Sequence, residues 1–170
     1  MVTIVSGARG SGKSGYLLRL AEEYKLKNTI VGGIVSRSIW ENGGRTGYEA
    51  VDLFTGESWL LASSRPAQDK NIFYWGQWHF RQNAFNEGNA VIANFINNYA
   101  EEKNAVLFID EIGKIELEGK GWDISLLRAN AHRVMNTVLG VRLEIVNEIK
   151  QLAGGSCTCQ FMDSHNNAIQ

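Results

Sequence analysis

The sequence is poor in residues that crosslink a chain or anchor it in a membrane. Its 170 residues include only two cysteines and one proline, and no apolar run approaches the about 20 residues of a membrane-spanning helix. Cys157 and Cys159 stand in "CTC", a spacing too tight for an easy disulfide. The start of the chain has neither the basic region nor the apolar run of a signal peptide. We therefore expect a cytoplasmic protein without a membrane partner.

The sequence also lacks an excess of either charge. Lys and Arg number 17 and Asp and Glu 18, so the formal net charge is -1. Such a balance creates no field that attracts nucleic acid, and we expect no nucleic-acid partner. The hydrophobic content of 44% and the length of 170 residues are sufficient for a core and predict one domain over residues 1–170.

What the sequence does contain is an alternation of strand and helix patterns. "VTIVSG" and "AVLFIDEIG" are apolar runs typical of buried parallel strands, and a helical spacing of leucines follows Lys13. Further helices are predicted over residues 85–103, 122–133 and 142–154, and further strands over residues 29–37, 134–141 and 157–162. The alternation predicts an α/β fold of three layers with a mainly parallel central sheet.

One part of the chain breaks this alternation. Residues 29–63 contain three strand patterns in succession, and the turn signal "ENGG" separates the first two. Consecutive strands joined by short turns are antiparallel. We therefore predict an antiparallel β-hairpin insertion at about residues 37–63.

The stretch "GARGSGKS", Gly7 to Ser14, matches the phosphate-binding loop pattern G-x-x-x-x-G-K-[ST] at every fixed position. A strand precedes it and a helix follows, as in the P-loop NTPase fold. The glycines let the backbone N–H groups face a phosphate, Lys13 can reach the β- and γ-phosphates, and the Ser14 hydroxyl can ligate Mg²⁺. The predicted nucleotide-binding residues are Gly7, Ala8, Arg9, Gly10, Ser11, Gly12, Lys13, Ser14 and Gly15.

Two adjacent carboxylates end the second buried strand. Asp110 is in the position of a second Mg²⁺ ligand, and Glu111 can orient a water molecule beside the γ-phosphate and accept its proton. Adjacent carboxylates also indicate folds with an extra strand between the loop strand and the Asp strand. The run from Thr29 to Arg37 is our candidate for that extra strand.

Three stretches together resemble a known family. They are the phosphate loop, the hairpin "GGRTGYEAVDL" (Gly43 to Leu53) and "DEIGKIEL" (Asp110 to Leu117). They are similar to the small nucleoside-triphosphate phosphatases known from thermophiles and from a human cancer-related NTPase. The resemblance spans roughly residues 2–152 and implies Mg²⁺-dependent hydrolysis of ATP, GTP and other nucleoside triphosphates to the diphosphate.

The resemblance also adds site residues and points to two departures from the family. It makes Arg45 of the hairpin a catalytic candidate, ahead of Lys114, because a guanidinium near the γ-phosphate stabilises developing charge. The alternatives are a solvated hairpin arginine for Arg45 and a cap of its segment for Lys114. The first departure is the aromatic stretch Phe73 to Phe80, for which we predict burial over base stacking or partner docking. The second is "DSHNN" at residues 163–167, which lacks the arginine of the family's closing element.

Two other functions fit a phosphate loop. A small-molecule kinase, acting on a nucleotide or nucleoside, would need an acceptor pocket and usually has an arginine-bearing lid. A non-catalytic nucleotide-binding switch would be favoured by a mutated loop or by a missing carboxylate, and the sequence has neither change. Hydrolysis is the function that we predict.

Overall fold

A computed structural model describes residues 1–66, 71–130, 135–154, 157–162 and 168–169. The strands in these ranges are β1 (Val2–Gly7), β2 (Ile30–Glu41), β3 (Gly44–Asp52), β4 (Ser58–Ser63), β5 (Ile72–Trp75), β6 (Trp78–Arg81), β7 (Ala105–Ile112), β8 (Asn136–Arg142), β9 (Cys157–Met162) and β10 (Ala168–Ile169). The helices are α1 (Lys13–Leu26), α2 (Gln82–Tyr99), α3 (Lys114–Leu117), α4 (Ser125–Asn130) and α5 (Val146–Leu152), and a 3-10 turn, Leu143–Ile145, precedes α5.

The ten described strands form one sheet in the order β10-β9-β1-β8-β7-β2-β3-β4-β6-β5. The pairs among β9, β1, β8, β7 and β2 are parallel, and we call these five strands the parallel half. The successive pairs from β2 through β3, β4 and β6 to β5 are antiparallel, and we call β3, β4, β6 and β5 the antiparallel half. The prediction of a parallel sheet with an antiparallel insertion is confirmed.

The sheet has a hydrophobic cluster on each face, which gives the three layers. One cluster joins α1 to the sheet through Leu17, Ala21 and Phe108. The other lies under α2 and α5 and includes Ile92 and Ile149. Burial of these apolar faces is the main favourable contribution to folding.

The extra strand beside the loop strand is not the one that we expected. The strand between β1 and β7 is β8, whereas β2, the expected candidate from Thr29 to Arg37, lies on the other side of β7. The reason is that a strand has two edges. Because β2 pairs with β7 on one edge and with β3 on the other, it has no edge left for β1.

The aromatic stretch forms the β5–β6 hairpin, and its predicted burial is confirmed in part: Trp78 and Phe80 are buried, whereas Tyr74 is 71% exposed. The helix expected over residues 122–133 begins only at Ser125, after a turn in which the Asp123 carboxylate accepts hydrogen bonds from the Ser125 N–H and hydroxyl. Residues 131–134 lie outside the described ranges. The "DSHNN" segment, residues 163–167, also lies outside them. No helix among the described residues is long and apolar enough to cross a membrane.

Candidate active site

The phosphate loop connects the end of β1 to the start of α1. Within it the Ser11 N–H donates a hydrogen bond to the Ala8 carbonyl oxygen at 3.2 Å. Gly10 and Gly12 have φ angles of 81° and 80°, in the left-handed region that glycine adopts without steric cost. The loop therefore turns directly into the N-terminus of α1, where unpaired N–H groups and the helix dipole favour an anion.

The Lys13 side chain lies inside this loop. Its Nζ donates hydrogen bonds to the carbonyl oxygens of Gly7 at 3.1 Å and Ala8 at 3.5 Å, and the residue is only 4% exposed. The ammonium group is thus held at the centre of the predicted phosphate cradle. A phosphate bound there would meet a cation already in place.

Asp110 is fully buried at the end of β7. Its Oδ2 accepts a hydrogen bond from the Ser36 N–H at 3.2 Å, and Oδ1 has no hydrogen-bond partner among the described residues. Burial and the neighbouring Glu111 carboxylate raise the pKa of Asp110 to about 7, while the nearby Ser14 side chain and the charge of Lys13 act in the opposite direction. The structure thus brings Lys13, Ser14 and Asp110 together.

Glu111 has an unusual backbone at a break in the sheet. Its φ is 60°, which is strained for a residue with a β-carbon. The β7–β8 pairing shifts register between Ile109 and Ile112 at this point. The Glu111 Oε2 accepts a hydrogen bond from Arg142 Nε at 2.9 Å, and Arg142 Nη2 forms an ion-pair contact with the same oxygen at 2.7 Å. Glu111 is therefore tied to the end of β8.

A cavity of about 610 Å³ opens beside Glu111, a size typical of a small-molecule site. Its lining includes a set of charged residues, namely Arg9, Glu111, Lys114, Glu116, Arg142 and Glu144. It also includes a set of aromatic residues, namely Tyr48, Trp75, Trp78, Phe80, Phe85 and Trp122. Among the described residues of the phosphate loop, Arg9 is the one that lines the cavity. The cavity thus begins where the loop ends and continues toward the antiparallel half.

The two other cationic candidates, Arg45 and Lys114, differ in whether they line the cavity. Arg45 does not line the cavity: its Nη1 donates to the Tyr48 hydroxyl at 2.8 Å, and its guanidinium lies 5.1 Å from the centre of the Trp40 ring. Tyr48 itself lines the cavity, so Arg45 contacts the site through one residue. Lys114 is part of the cavity wall.

The sequence interpretation did not identify two residues of this site. Arg142 follows the apolar run of β8, and its position opposite Gly7 in the β1–β8 pairing places it beside the phosphate loop. The signal available in the sequence was a cation at the carboxyl end of a buried strand. Burial tends to lower the pKa of Arg142, but the Glu111 carboxylate raises it above its ordinary value.

The second of these residues is Glu116, which organises the segment after β7. Its carboxylate accepts hydrogen bonds from the N–H groups of Gly113 at 2.7 Å and Trp122 at 3.4 Å. The Trp122 indole Nε1–H in turn donates to the Asp110 carbonyl oxygen at 2.9 Å. Desolvation raises the pKa of Glu116 to about 7. Glu116 therefore holds one aromatic wall of the cavity against the end of β7.

Known proteins are similar to this chain over most of its length. A family model described as NTPase matches residues 2–167. The nucleoside-triphosphatase THEP1 of Korarchaeum cryptofilum is 29% identical over 153 residues, which cover 90% of this chain and 74% of that protein. The nucleoside-triphosphatase THEP1 of Saccharolobus solfataricus is 31% identical over 115 residues, which cover 67% and 61%.

Two solved structures share the fold. THEP1 from the hyperthermophile Aquifex aeolicus superposes with a TM-score of 0.77 at 20% identity, over 98% of this chain and 92% of that one. A human cancer-related nucleoside triphosphatase gives a TM-score of 0.69 at 23% identity, over 92% and 86%. Since the family match spans almost the entire sequence, the chain belongs to the NTPase family and is a nucleoside-triphosphate phosphatase.

Proposed function

We propose that this protein hydrolyses ATP, GTP and other nucleoside triphosphates to the diphosphate and inorganic phosphate in a Mg²⁺-dependent reaction. The observation that carries the proposal is the division of roles between two adjacent carboxylates. Asp110 is buried beside Ser14 and Lys13, whereas Glu111 lines the cavity. This division supports the assignment of one carboxylate to a cation and of the other to the nucleophile.

The residues near the loop fit a magnesium ion. The Ser14 hydroxyl and the Asp110 carboxylate are oxygen ligands, and Asp110 Oδ1 is a buried oxygen without a partner in the described chain. Mg²⁺ prefers oxygen ligands and is commonly held by one or two protein groups together with substrate phosphates. Ser14 and Asp110 are thus the residues that we assign to the ion, which when bound supplies charge neutralisation at the phosphates.

The protein groups then have distinct tasks. The loop N–H groups and Lys13 hold the β- and γ-phosphates and stabilise the negative charge that builds on the γ-phosphoryl group. Glu111 orients a water molecule and accepts its proton as the water oxygen bonds to the γ-phosphorus. The bond from that phosphorus to the β–γ bridging oxygen breaks, and the diphosphate leaves.

Arg45 stays a prediction as a catalytic residue. Its contact with Tyr48 at the cavity wall is the feature in favour of a role. In the present arrangement that role is exercised through Tyr48, whose ring also contacts Trp78 edge to face at 4.9 Å. Arg45 is thus assigned a role behind Tyr48, which itself lines the cavity.

Phosphoryl transfer to a small molecule is the second candidate function. The aromatic residues of the cavity wall favour it, because planar rings can stack against them and Glu111 lines the same cavity. In that reaction the acceptor hydroxyl replaces water. The diphosphate would then form in excess of free phosphate, because the γ-phosphoryl group leaves on the acceptor.

The test measures both products from purified protein. Diphosphate and free phosphate are determined in parallel with ATP, GTP, CTP and UTP, with Mg²⁺ and with Mg²⁺ removed by EDTA. We expect equal amounts of the two products and loss of both on chelation. Turnover that persists in EDTA would contradict the role of Ser14 and Asp110, and diphosphate in excess of phosphate would favour the transferase.

A further inference from the structure

The geometry points to a role for Arg142 that the proposed function does not yet contain. We propose that Arg142 is the positioning residue for Glu111: it fixes the carboxylate so that one oxygen is bound and the other is free to accept a proton. This inference rests on the proposed role of Glu111 as the base. It concerns how the base is held in position, and it assigns nucleotide binding to other residues.

The first observation is the way in which the two side chains meet. Both guanidinium contacts, Nε at 2.9 Å and Nη2 at 2.7 Å, go to the same carboxylate oxygen, Oε2. The other oxygen, Oε1, accepts no hydrogen bond from the described residues. A carboxylate bound in this way keeps its second oxygen, Oε1, available to accept the proton of water.

The second observation is the backbone of Glu111. A residue with φ of 60° at a register shift is not held in place by the regular ladder of the sheet. A strained conformation of this kind persists only when the surroundings fix it. Arg142 supplies that contact from the end of β8, and the two side chains are about three-quarters buried, at 25% and 23% exposure. The pair is therefore screened by solvent less than a surface ion pair.

The third observation is the contrast with another arginine–glutamate pair in the same sheet. Arg37 and Glu49 form a hydrogen-bonded ion pair of 2.7 Å across the β2–β3 hairpin. Neither residue lines the cavity, and Arg37 is 52% exposed. This pair is a matched control because it has the same chemistry without a place at the site.

The test is a double-mutant cycle on kcat and KM for ATP hydrolysis. The proteins are wild type, Arg142→Gln, Arg142→Lys, Glu111→Gln and the double variant Glu111→Gln/Arg142→Gln, with Arg37→Gln as the control. Thermal unfolding is measured for each. Arg142→Lys keeps a cation for Oε2 but not the paired Nε and Nη2 contacts, so a smaller loss of kcat in this variant carries the test if the glutamine variant folds poorly.

We expect Arg142→Gln to lower kcat about 10- to 100-fold, as for loss of alignment of a reacting group, with KM changed by less than about threefold. Arg142→Lys should recover part of this loss, and Arg37→Gln should match wild type. Because Arg142 acts through Glu111, the double variant should be no slower than Glu111→Gln alone.

Two results would overturn the inference. Losses that multiply in the double variant, with a raised KM in Arg142→Gln, would mean that Arg142 binds the nucleotide directly. Wild-type kcat in Arg142→Gln would mean that the ion pair has no part in turnover. Full activity of Glu111→Gln would instead contradict the proposed function, so the two failures are distinguishable in one data set.

Discussion

The parallel half and the antiparallel half of the sheet present different side chains to the same cavity. From the parallel half come ionisable groups at strand ends and in the following loops, including Arg9, Glu111 and Arg142. From the antiparallel half come the rings of Tyr48 and Trp78 and other apolar side chains. The difference follows from connectivity. Parallel strands all end at one edge, where their loops gather polar groups, whereas hairpins place alternate side chains on one face and build a wall.

The contrast indicates that the groups that carry out the reaction and the groups that shape the cavity come from different halves of the sheet. Substitutions in the parallel half should change the rate of the reaction, and those in the antiparallel half should change mainly packing or the fit of a ligand. Each prediction below tests that division.

The largest effect is expected at Lys13. Lys13→Ala removes the cation inside the phosphate loop. Because that cation stabilises the transferring phosphoryl group, we expect turnover to fall by about 10²- to 10³-fold. Phosphate release and binding of a fluorescent nucleotide measure the effect. Lys25→Ala is the matched control, because Lys25 lies on the same helix in an exposed pair with Glu22. Turnover of Lys13→Ala near the control's rate would contradict the loop assignment.

The next effect concerns stability in the segment after β7, which belongs to the parallel half. The pKa of Glu116 is raised to about 7 in the folded protein, so between about pH 4.5 and pH 7 the folded state binds more protons than the unfolded state. Stability must therefore fall as pH rises through this range, by roughly 3 kcal/mol for this group. Glu116→Gln should not show this loss of stability as the pH rises.

Chemical denaturation of nucleotide-free protein from pH 5 to pH 8 measures this pH dependence of the free energy of unfolding. Asp110 has a raised pKa in both proteins, and so its contribution cancels in the comparison of the two slopes. Identical pH slopes for wild type and Glu116→Gln would show that Glu116 is not a proton-binding group in this range.

A pair of glycine substitutions compares the halves directly. A β-carbon at Gly140 of β8 would lie 2.2 Å from Asp110 Oδ1 and 2.7 Å from Leu17 Cδ1. Gly140→Ala should therefore destabilise the protein by about 1–3 kcal/mol and also lower turnover about tenfold by displacing Asp110. Gly56, in the turn before β4, has φ of 83° and open space around it.

Gly56→Ala should cost about 1 kcal/mol through backbone strain and leave turnover per folded molecule unchanged. Denaturation curves and activity corrected for the folded fraction measure both effects. If Gly140→Ala were as active as Gly56→Ala, the position of Asp110 would matter less than we infer.

The smallest effect is expected at Arg45, in the antiparallel half. Since its contact with the cavity runs through Tyr48, Arg45→Met should lower turnover only about two- to tenfold, the loss of about one hydrogen bond. Steady-state phosphate release is sufficient to measure it. A loss of 100-fold or more would place the guanidinium on the γ-phosphate during catalysis and would give the antiparallel half a direct chemical role.

The parts of the site that are local in sequence could be predicted, and those that depend on long-range pairing could not. The phosphate loop, Asp110 and Glu111 follow from short patterns at the ends of apolar runs. The place of β8 between β1 and β7 depends on which edges remain free after β2 pairs with β3. Arg142 could not be assigned to Glu111 without that strand order, because 31 residues separate the two partners.

The aromatic hairpin shows the same limit. Burial of Trp78 and Phe80 follows from their size and polarity, but the β5–β6 strands depend on pairing with β4. Tyr48 belongs to a stretch that resembles the family, yet its place opposite Trp78 in the cavity follows from the folded sheet.

The most direct test of the central claim separates nucleotide binding from turnover in Glu111→Gln. The amide keeps the size of the side chain and removes the basic carboxylate. Calorimetric titration with a non-hydrolysable ATP analogue and Mg²⁺ should give an affinity close to that of wild type, while phosphate release from ATP falls by about 10²- to 10⁴-fold. Undiminished phosphate release by Glu111→Gln would contradict the assignment of Glu111 as the base.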